Sequence, residues 1–422
     1  MAVIKPFRGM RFDTEKAGEL KTLCCPPYDI ISEEQRKAFI AQNPYNVIRL
    51  ELPKEGDDVY ERAGEVLDLW RDKGVLVYED KPAIYVYEME FNAYNTRKRV
   101  KVEEFSKGVI LPHEFTLSKA KEDRLNLMKA TNCNFSQIYA LYMDSEHTTL
   151  QTIDAESTAD AAYAFTDDDN ITHRLWVVTD EKVIEKLCAD FADRKLYIAD
   201  GHHRYETALN YRNYCRENGI SKEGDGQDYQ MIYLVDMEHP GLVVFPTHRM
   251  VRDLPDFSKY NVLAGCEPYF EIEKYTAVGN MNTLLAEKYN QGKKAFAFYC
   301  GKGEWYLLTL KDIGVMSKVL PDVSEASQQL DVSVLHSLIL EKTMGIDKEN
   351  MAKQINLTYT KFFEEAIVKV DKGQFQCSFI LNPTRVTEIR DVAAAGEKMP
   401  QKSTYFYPKM ITGMVMNDIG VE

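Results

Sequence analysis

The middle of the chain places an acid, a glycine, two histidines and an arginine next to one another as Asp200, Gly201, His202, His203 and Arg204. The apolar run before them is typical of a buried strand, and the residues after them have helical spacing. The start of a helix offers unpaired backbone N–H groups and the positive end of the helix dipole, which favour a phosphate or a carboxylate. The segment therefore predicts an anion-binding loop between a strand and a helix.

Each residue type in this loop suits phosphate chemistry. Arg204 can form a bidentate pair with an anion, and Gly201 allows a close backbone approach or a positive φ. Asp200 could hold Mg²⁺ or orient a histidine. A structural interpretation stays open, in which Asp200 only caps the helix and Arg204 is a solvated surface charge.

A second polar segment precedes the loop in the chain. His113 and Glu114 come before a predicted helix that begins at Ser118, and Lys121 and Arg124 lie three residues apart on that helix. Glu114 could act as a general base, and the two cations could contact an anion. Ordinary ion pairs on a solvated helix are the alternative.

Two further segments are candidates for ligand binding. Lys402 and Ser403 lie in an aromatic-rich run between prolines, and they could reach phosphate oxygens while a ring stacks on a base. A packed terminal arm would explain the same run. His248 and Arg249 end an apolar strand, a position where ligands often gather in α/β sheets, and are second-tier substrate candidates together with His113, Lys121 and Arg124.

The elements that must position these residues predict a mixed α/β protein with several layers. Helical and strand patterns alternate through the middle third, and an α+β pattern follows. We expect an N-terminal α/β segment over 1–110, a central α/β domain over 111–255 that carries the loop, and a C-terminal α+β domain over 256–422 whose terminal loop could close on the site.

Composition limits the possible functions. The 422 residues carry a formal charge of −14 and give a pI near 5.2, which argues against non-specific binding to nucleic acid. Neither a membrane-spanning apolar run nor a leader is visible, so we expect a cytoplasmic protein. The eight cysteines form no C-x-x-C pair, which leaves zinc a minor hypothesis.

Several segments, in this order, resemble the bacterial and archaeal domain-of-unknown-function family 1015: Pro6–Gly9, Pro26–Asp29, Pro112–Glu114, Asp200–Tyr205, Pro246–Arg249 and Met399–Thr404. The resemblance runs over nearly the whole chain. Members of this family are often labelled as similar to chromosome-partitioning ParB proteins. Because the family has no settled activity, the resemblance indicates kinship and not a particular reaction.

The loop itself is similar to the phosphate-binding loop of the ParB and sulfiredoxin superfamily, whose members bind nucleotides and include free serine kinases. This resemblance implies a nucleotide-binding core in which Gly201, His202, His203 and Arg204 hold phosphates. It also implies that Asp200 serves Mg²⁺ or the substrate hydroxyl. The separate carboxylate that activates serine in those kinases has no matched position here. His202 stands where sulfiredoxin has its catalytic cysteine, which excludes sulfinic acid reduction at this loop.

Together, these features predict a nucleotide-dependent phosphotransferase that acts on a small hydroxyl-bearing metabolite, with free L-serine the first substrate to test. ATP or ADP, with CTP also open, and Mg²⁺ are the expected cofactors. Asp200, His202 and Glu114 are the candidate catalytic residues, and a homo-oligomer is an open possibility. The alternatives are a non-catalytic nucleotide or metabolite sensor, a hydrolase that uses the histidine pair and a ParB-like DNA-binding protein, although no basic helix-turn-helix is apparent.

Overall fold

A computed structural model describes residues 2–90, 93–101, 109–114, 116, 118–239, 241–276, 281–400 and 402–420, with only the backbone of residues 93–101, 118 and 119. The chain forms two compact units. The first comprises Met1–Pro112, Thr116–Leu242 and Pro408–Glu422, and the second comprises His113–Phe115 and Val243–Tyr407. The mixed α/β class predicted from the sequence is confirmed.

The strands, in chain order, are β1 (Ile4–Lys5), β2 (Met10–Phe12), β3 (Leu76–Tyr78), β4 (Ile84–Glu90), β5 (Ala93–Lys101), β6 (Ile110–Leu111), β7 (Cys133–Asn134), β8 (Ile138–Tyr142), β9 (Tyr163–Thr166), β10 (Thr172–Val178), β11 (Leu196–Asp200), β12 (Tyr229–Asp236), β13 (Val243–Phe245), β14 (His248–Val251), β15 (Phe270–Tyr275), β16 (Ala295–Tyr299), β17 (Trp305–Leu310), β18 (Leu357–Thr360), β19 (Cys377–Ile380), β20 (Tyr405–Tyr407) and β21 (Asn417–Asp418).

The α-helices are α1 (Thr14–Ala17), α2 (Leu20–Leu23), α3 (Glu33–Gln42), α4 (Ile48–Glu51), α5 (Val59–Asp72), α6 (Ser118–Thr131), α7 (Thr148–Glu156), α8 (Glu181–Phe191), α9 (His202–Glu217), α10 (Lys259–Cys266), α11 (Met281–Asn290), α12 (Met316–Val319), α13 (Glu325–Gln328), α14 (Asp331–Val334), α15 (Lys348–Lys353), α16 (Phe363–Asp371) and α17 (Val386–Ala394). A π-helix covers Leu335–Glu341. None of the helices in the described ranges is both long and apolar enough to cross a bilayer.

The first unit is built on a nine-stranded sheet with the order β6-β11-β8-β12-β5-β4-β10-β9, in which β1 also pairs with β5. Strand β11 runs parallel to β6 and antiparallel to β8, so it lies between two neighbours and is buried along most of its length. Strands from before and after residue 110 share this sheet. Residues 1–110 also contain a separate two-stranded sheet of β2 and β3.

Helix α9 packs on this sheet through an apolar stripe. Tyr205, Ala208 and Leu209 have the spacing of one helical face, and they are buried in the same cluster as Ile198 and Leu196 of β11. Burying an apolar side chain of this size stabilises the fold by about 1.5–3 kcal/mol. The stripe therefore fixes the helix against the strand that precedes it, and so sets the geometry of the loop between them.

The second unit is built on a six-stranded sheet with the order β15-β17-β16-β19-β14-β18. All of its strand pairs are antiparallel. The π-helix lies in the core of this unit, where Leu335, Leu338 and Ile339 are fully buried. Strand β13 pairs separately with β20, which brings the aromatic-rich run near residue 405 into this unit.

Candidate anion-binding site

The predicted loop joins β11 to α9. Asp200 is the last residue of β11, Gly201 has a φ of 88°, and α9 begins at His202. The positive φ turns the chain sharply from strand to helix. A Cβ atom on residue 201 would lie 3.1 Å from the guanidinium group of Arg204, so the glycine also makes room for that side chain.

Asp200 lies between two cations. Its Oδ1 is 2.8 Å from Nζ of Lys409, and its Oδ2 is 2.8 Å from Nη2 of Arg204. Burial on its own would raise the pKa of Asp200, but Lys409 and Arg204 outweigh it and hold that pKa well below its usual range. The carboxylate is therefore ionised at neutral pH and is a poor proton acceptor, which weighs against its predicted role as a base.

Arg204 anchors the loop inside the first unit. Its side chain is buried, Nη2 donates to Asp200, and Nη1 donates to the backbone carbonyl of Gln137. Burial favours the neutral guanidine, but the charge of Asp200, together with those of Asp29 and other nearby acidic groups, outweighs it and raises the pKa of Arg204. The interpretation of Arg204 as a solvated surface charge is therefore wrong. The capping interpretation of Asp200 is wrong as well, because Gly201 occupies the N-cap position and no side chain caps the helix there.

The two histidines begin α9 and differ in exposure. His202 is buried, whereas His203 is half-buried. Burial lowers the pKa of His203, and the nearby charges of Glu206 and Asp29 oppose that shift only in part. His203 is therefore neutral at pH 7, so its imidazole can donate or accept a hydrogen bond.

The predicted cations on α6 are paired with protein groups. Nζ of Lys121 is 2.7 Å from Oε2 of Glu206, which also accepts a hydrogen bond of 2.6 Å from Oγ1 of Thr116. Arg124 is buried, donates to Asp123, and lies 4.3 Å from the centre of the Tyr28 ring. Both cations therefore have protein partners, and the burial of Arg124 departs from a solvated helix; that the two contact an anion stays a prediction.

The structure groups the other candidate residues with the second unit. The backbone carbonyl of His113 accepts from the N–H of Met399 at 2.6 Å, and its Nε2 is 3.3 Å from Oγ1 of Thr404. Ser403 is buried, with its hydroxyl directed to the carbonyl of Pro400, and Lys402 is exposed. Two motifs that are nearly three hundred residues apart in the chain thus meet.

Arg249 and His248 are buried in the same unit. Arg249 donates to the carbonyls of Thr247 and Lys402 and to Nε2 of His336. Burial lowers the pKa of Arg249 to about 10, and burial beside Arg249 lowers that of His248 to about 3. His248 is therefore neutral and accepts a hydrogen bond from the N–H of Leu381. Glu114 is half-buried and belongs to this unit.

The residues at the loop do not fit a protein-held Mg²⁺ ion. Both oxygens of Asp200 are paired with cations, which an incoming divalent ion would have to displace. Over the described part of the chain, no three His, Cys, Asp or Glu side chains cluster as a metal site requires.

Sequence reasoning missed two residues that contact the site, Lys409 and Glu206. Lys409 is separated from Asp200 by 209 residues, so no local pattern relates the two. Glu206 lies one helical turn after His202, which is a signal that could have been used.

These features define a mixed α/β protein whose central strand–loop–helix unit holds an ionised carboxylate between two cations. The chain belongs to the family described as protein of unknown function, DUF1015, whose model matches residues 4–333. No curated protein matches the sequence.

Solved structures show distant similarity. A conserved hypothetical protein from Pyrococcus furiosus is 15% identical over 74% of this chain and 91% of its own, with a TM-score of 0.35. A mutant free serine kinase in complex with AMP is 14% identical over 77% of this chain and 88% of its own, with a TM-score of 0.36. SbnI with a C-terminal truncation, from Staphylococcus aureus, is 12% identical over 75% of this chain and 85% of its own, with a TM-score of 0.36. The resemblance to free serine kinases is thus found again, at a distance that assigns no function to this chain.

Proposed function

We propose that the first unit binds the phosphates of a nucleotide at the start of α9 and transfers a phosphoryl group to a small hydroxyl-bearing metabolite. The observation that carries this proposal is the charge of the loop. Lys409 and Arg204 converge on the single carboxylate of Asp200, so these three side chains together carry a net positive charge. The N-terminus of the 16-residue helix α9 adds its dipole to that charge.

Phosphoryl transfer depends on alignment and charge neutralisation more than on covalent chemistry. The start of α9 directs backbone N–H groups toward the loop, and helix N-termini commonly hold phosphate oxygens in this way. Neutral His203 can donate a further hydrogen bond, while Lys409 and Arg204 neutralise charge. Asp200 keeps these two cations in place, so its role in this proposal is to organise the loop. ATP or ADP is the proposed donor, and L-serine is the first acceptor to test because of the resemblance of the loop.

A nucleotide or metabolite sensor is the second candidate function. It is favoured by the hydrogen bonds of Asp200 and Glu206, since both of these loop carboxylates already pair with lysines. Neither of them is free to take a proton from a substrate. The prediction that Glu114 is the base stays a prediction.

The deciding experiment is phosphorus NMR of the purified protein with Mg²⁺, ATP or ADP and a pool of hydroxyl amino acids that includes L-serine. A new phosphomonoester signal supports the phosphotransferase. Nucleotide binding by calorimetry without any product supports the sensor, and the lack of both binding and product contradicts both functions.

The Lys409→Met variant tests the site itself. We expect nucleotide affinity to fall by about tenfold or more, equivalent to about 1.4 kcal/mol. Lys195→Met, which removes an exposed lysine of the same unit, is the matched control and should bind normally. Equal affinities of the two variants would contradict binding at the start of α9.

A further inference from the structure

Arg249 is a buried cation whose charge no acidic side chain balances. It belongs to the second unit and is 0% exposed. Burial lowers its pKa to about 10, and the group that opposes this shift is the hydroxyl of Tyr359. Within the described ranges, no carboxylate oxygen lies within ion-pair distance of the guanidinium group. Burying a charge without an opposite charge is costly, so the site favours an anion that would balance it.

The hydrogen-bond acceptors around Arg249 are neutral. Nη1 donates to the carbonyl of Thr247, and Nη2 donates to the carbonyl of Lys402 at 3.1 Å. Nε and Nη2 share Nε2 of His336, at 3.3 and 3.1 Å. Nη1 carries two hydrogens but has one acceptor among the described residues. The guanidinium group therefore keeps an N–H for a further acceptor as well as an unbalanced charge.

His336 adds a second N–H donor. It lies on the π-helix, a type of helix that is frequent at functional sites. Burial, reinforced by the charge of Arg249, holds the pKa of His336 well below its usual range, so the imidazole is neutral. Arginine has no acceptor atom, so Nε2 of His336 accepts from Arg249 and the ring proton is on Nδ1. Nδ1 is therefore a donor.

Thr247 adds a hydroxyl group. Its side chain is 6% exposed, and its Oγ1 has no hydrogen-bond partner in the part of the chain that the structure describes. A buried hydroxyl in this state is costly unless a ligand or water satisfies it. The carbonyl of the same residue holds Nη1 of Arg249. Arg249, His336 and Thr247, called the Arg249 site below, thus offer a guanidinium N–H, an imidazole N–H and a hydroxyl.

Lys402 gives access to this site from solvent. Its side chain is exposed, whereas its carbonyl accepts from Nη2 of Arg249. Its φ is 57°, a strained conformation for a residue with a Cβ atom. A ligand oxygen that replaces this carbonyl would relieve the constraint on residue 402, so this acceptor is the least costly one to exchange.

We propose that the Arg249 site binds a small organic monocarboxylate, whose oxygens replace the Lys402 carbonyl on the guanidinium group. A planar carboxylate matches the fork of an arginine side chain. The neighbouring histidines, His248 and His336, are neutral, so the ligand has one positive charge to balance. A monoanion does so, whereas a phosphate dianion would leave a buried negative charge in excess.

The same charges exclude an amino acid as the preferred ligand. None of the three side chains of the Arg249 site carries the negative charge that would hold an ammonium group. The ligand class is therefore a simple organic acid. This inference is independent of the proposed function, which concerns the first unit.

The test is saturation-transfer NMR of the full-length protein with acetate and with acetamide, its neutral isostere, in a buffer free of other carboxylates. We expect acetate to bind and acetamide not to bind. Thr247→Val keeps the shape of the side chain and removes the hydroxyl, so it should weaken acetate binding by about fivefold or more. Thr283→Val, at an exposed position of the same unit, is the matched control and should bind acetate as the wild type does.

A second variant tests the guanidinium group. Arg249→Lys keeps the positive charge and loses the planar fork, and we expect acetate binding to weaken by about tenfold or more. Circular dichroism shows whether this variant folds. If it does not fold, Thr247→Val still decides the proposal.

The outcomes that overturn the proposal are distinct. A wild type that does not bind acetate overturns it, and so does equal binding by the wild type and Thr247→Val. Inorganic phosphate that displaces acetate at an equal concentration overturns the choice of a monocarboxylate. None of these results affects nucleotide binding at the start of α9, which Lys409→Met tests separately.

Discussion

Nζ of Lys409 lies 2.8 Å from Oδ1 of Asp200, although 209 residues separate them in the chain. Both side chains are largely buried, and Arg204 occupies the other carboxylate oxygen. Replacing Asp200 would leave two cations facing each other, and replacing either cation would leave one oxygen of the carboxylate without its partner. The trio is therefore a sensitive place to probe the loop.

Lys409→Met should destabilise the first unit. The loss of one cation leaves Asp200 partly unpaired, at a cost of about 1–3 kcal/mol at pH 7. The folded state lowers the pKa of Asp200, so its stabilising contribution is present above about pH 4 and is lost as the pH falls from there. In urea unfolding from pH 7 down to pH 2.5, about the limit of practical work, the free energy of unfolding should decrease less in the variant than in the wild type. An equal decrease in both proteins would contradict the pairing of Lys409 with Asp200.

Gly201→Ala should destabilise the protein more than Gly219→Ala does. Both glycines have positive φ, at 88° and 68°, and they flank the same helix. A Cβ atom at residue 201 meets the guanidinium group of Arg204 at 3.1 Å, whereas one at residue 219 meets nothing within 4 Å. We expect each variant to lose about 1 kcal/mol from the backbone conformation. Only Gly201→Ala should also lose nucleotide affinity, as calorimetry can check.

Glu51→Gln should make the first unit more stable at neutral pH. The folded state raises the pKa of Glu51, so its contribution to stability is fully present below about pH 4.3 and is lost as the pH rises through the folded pKa. In thermal melts, the melting temperature of the variant should therefore exceed that of the wild type by an amount that grows between pH 4 and pH 7. Glu65→Gln, at an exposed position of α5, is the control and should show no such trend. A variant less stable than the wild type at pH 7 would mean that the ionised Glu51 stabilises the fold.

His248→Asn should reduce the acid sensitivity of the second unit. Burial lowers the pKa of His248 to about 3, so the unfolded chain binds a proton that the folded unit does not. The free energy of unfolding should fall below about pH 6.5, by about 1.4 kcal/mol per pH unit for this group. The asparagine can still accept a hydrogen bond from the N–H of Leu381 in place of the Nδ1 of His248. If the free energy of unfolding changes equally with pH between pH 6 and pH 4 in both proteins, the titration of His248 does not contribute to acid unfolding.

Local patterns predicted the loop well. The apolar run before Asp200, the glycine and the helical spacing after it are short-range signals, and the structure has β11, a positive φ and α9 in those places. A capping box of Ser32 and Gln35 begins α3, and it is likewise a short-range pattern.

Long-range partners could not be predicted in this way. Lys409 reaches Asp200 only through the fold of the first unit, because 209 residues separate the two in the chain. Arg204 shows this limit in part. Asp200 lies only four residues before Arg204, but the other partner of Arg204, the carbonyl of Gln137, is 67 residues away.

The first unit contains chain segments that are far apart in the sequence, and this constrains the order in which the protein folds during synthesis. Residues 408–420, which include Lys409 and the short strand β21, are synthesised only after the whole stretch 243–407. Until then, Asp200 lacks one of its two cations and β7 lacks its pairing partner. Domains usually fold in the order of their synthesis. Here the first unit begins first and is completed last. The site at Asp200 is therefore still incomplete when the residues of the second unit have been synthesised.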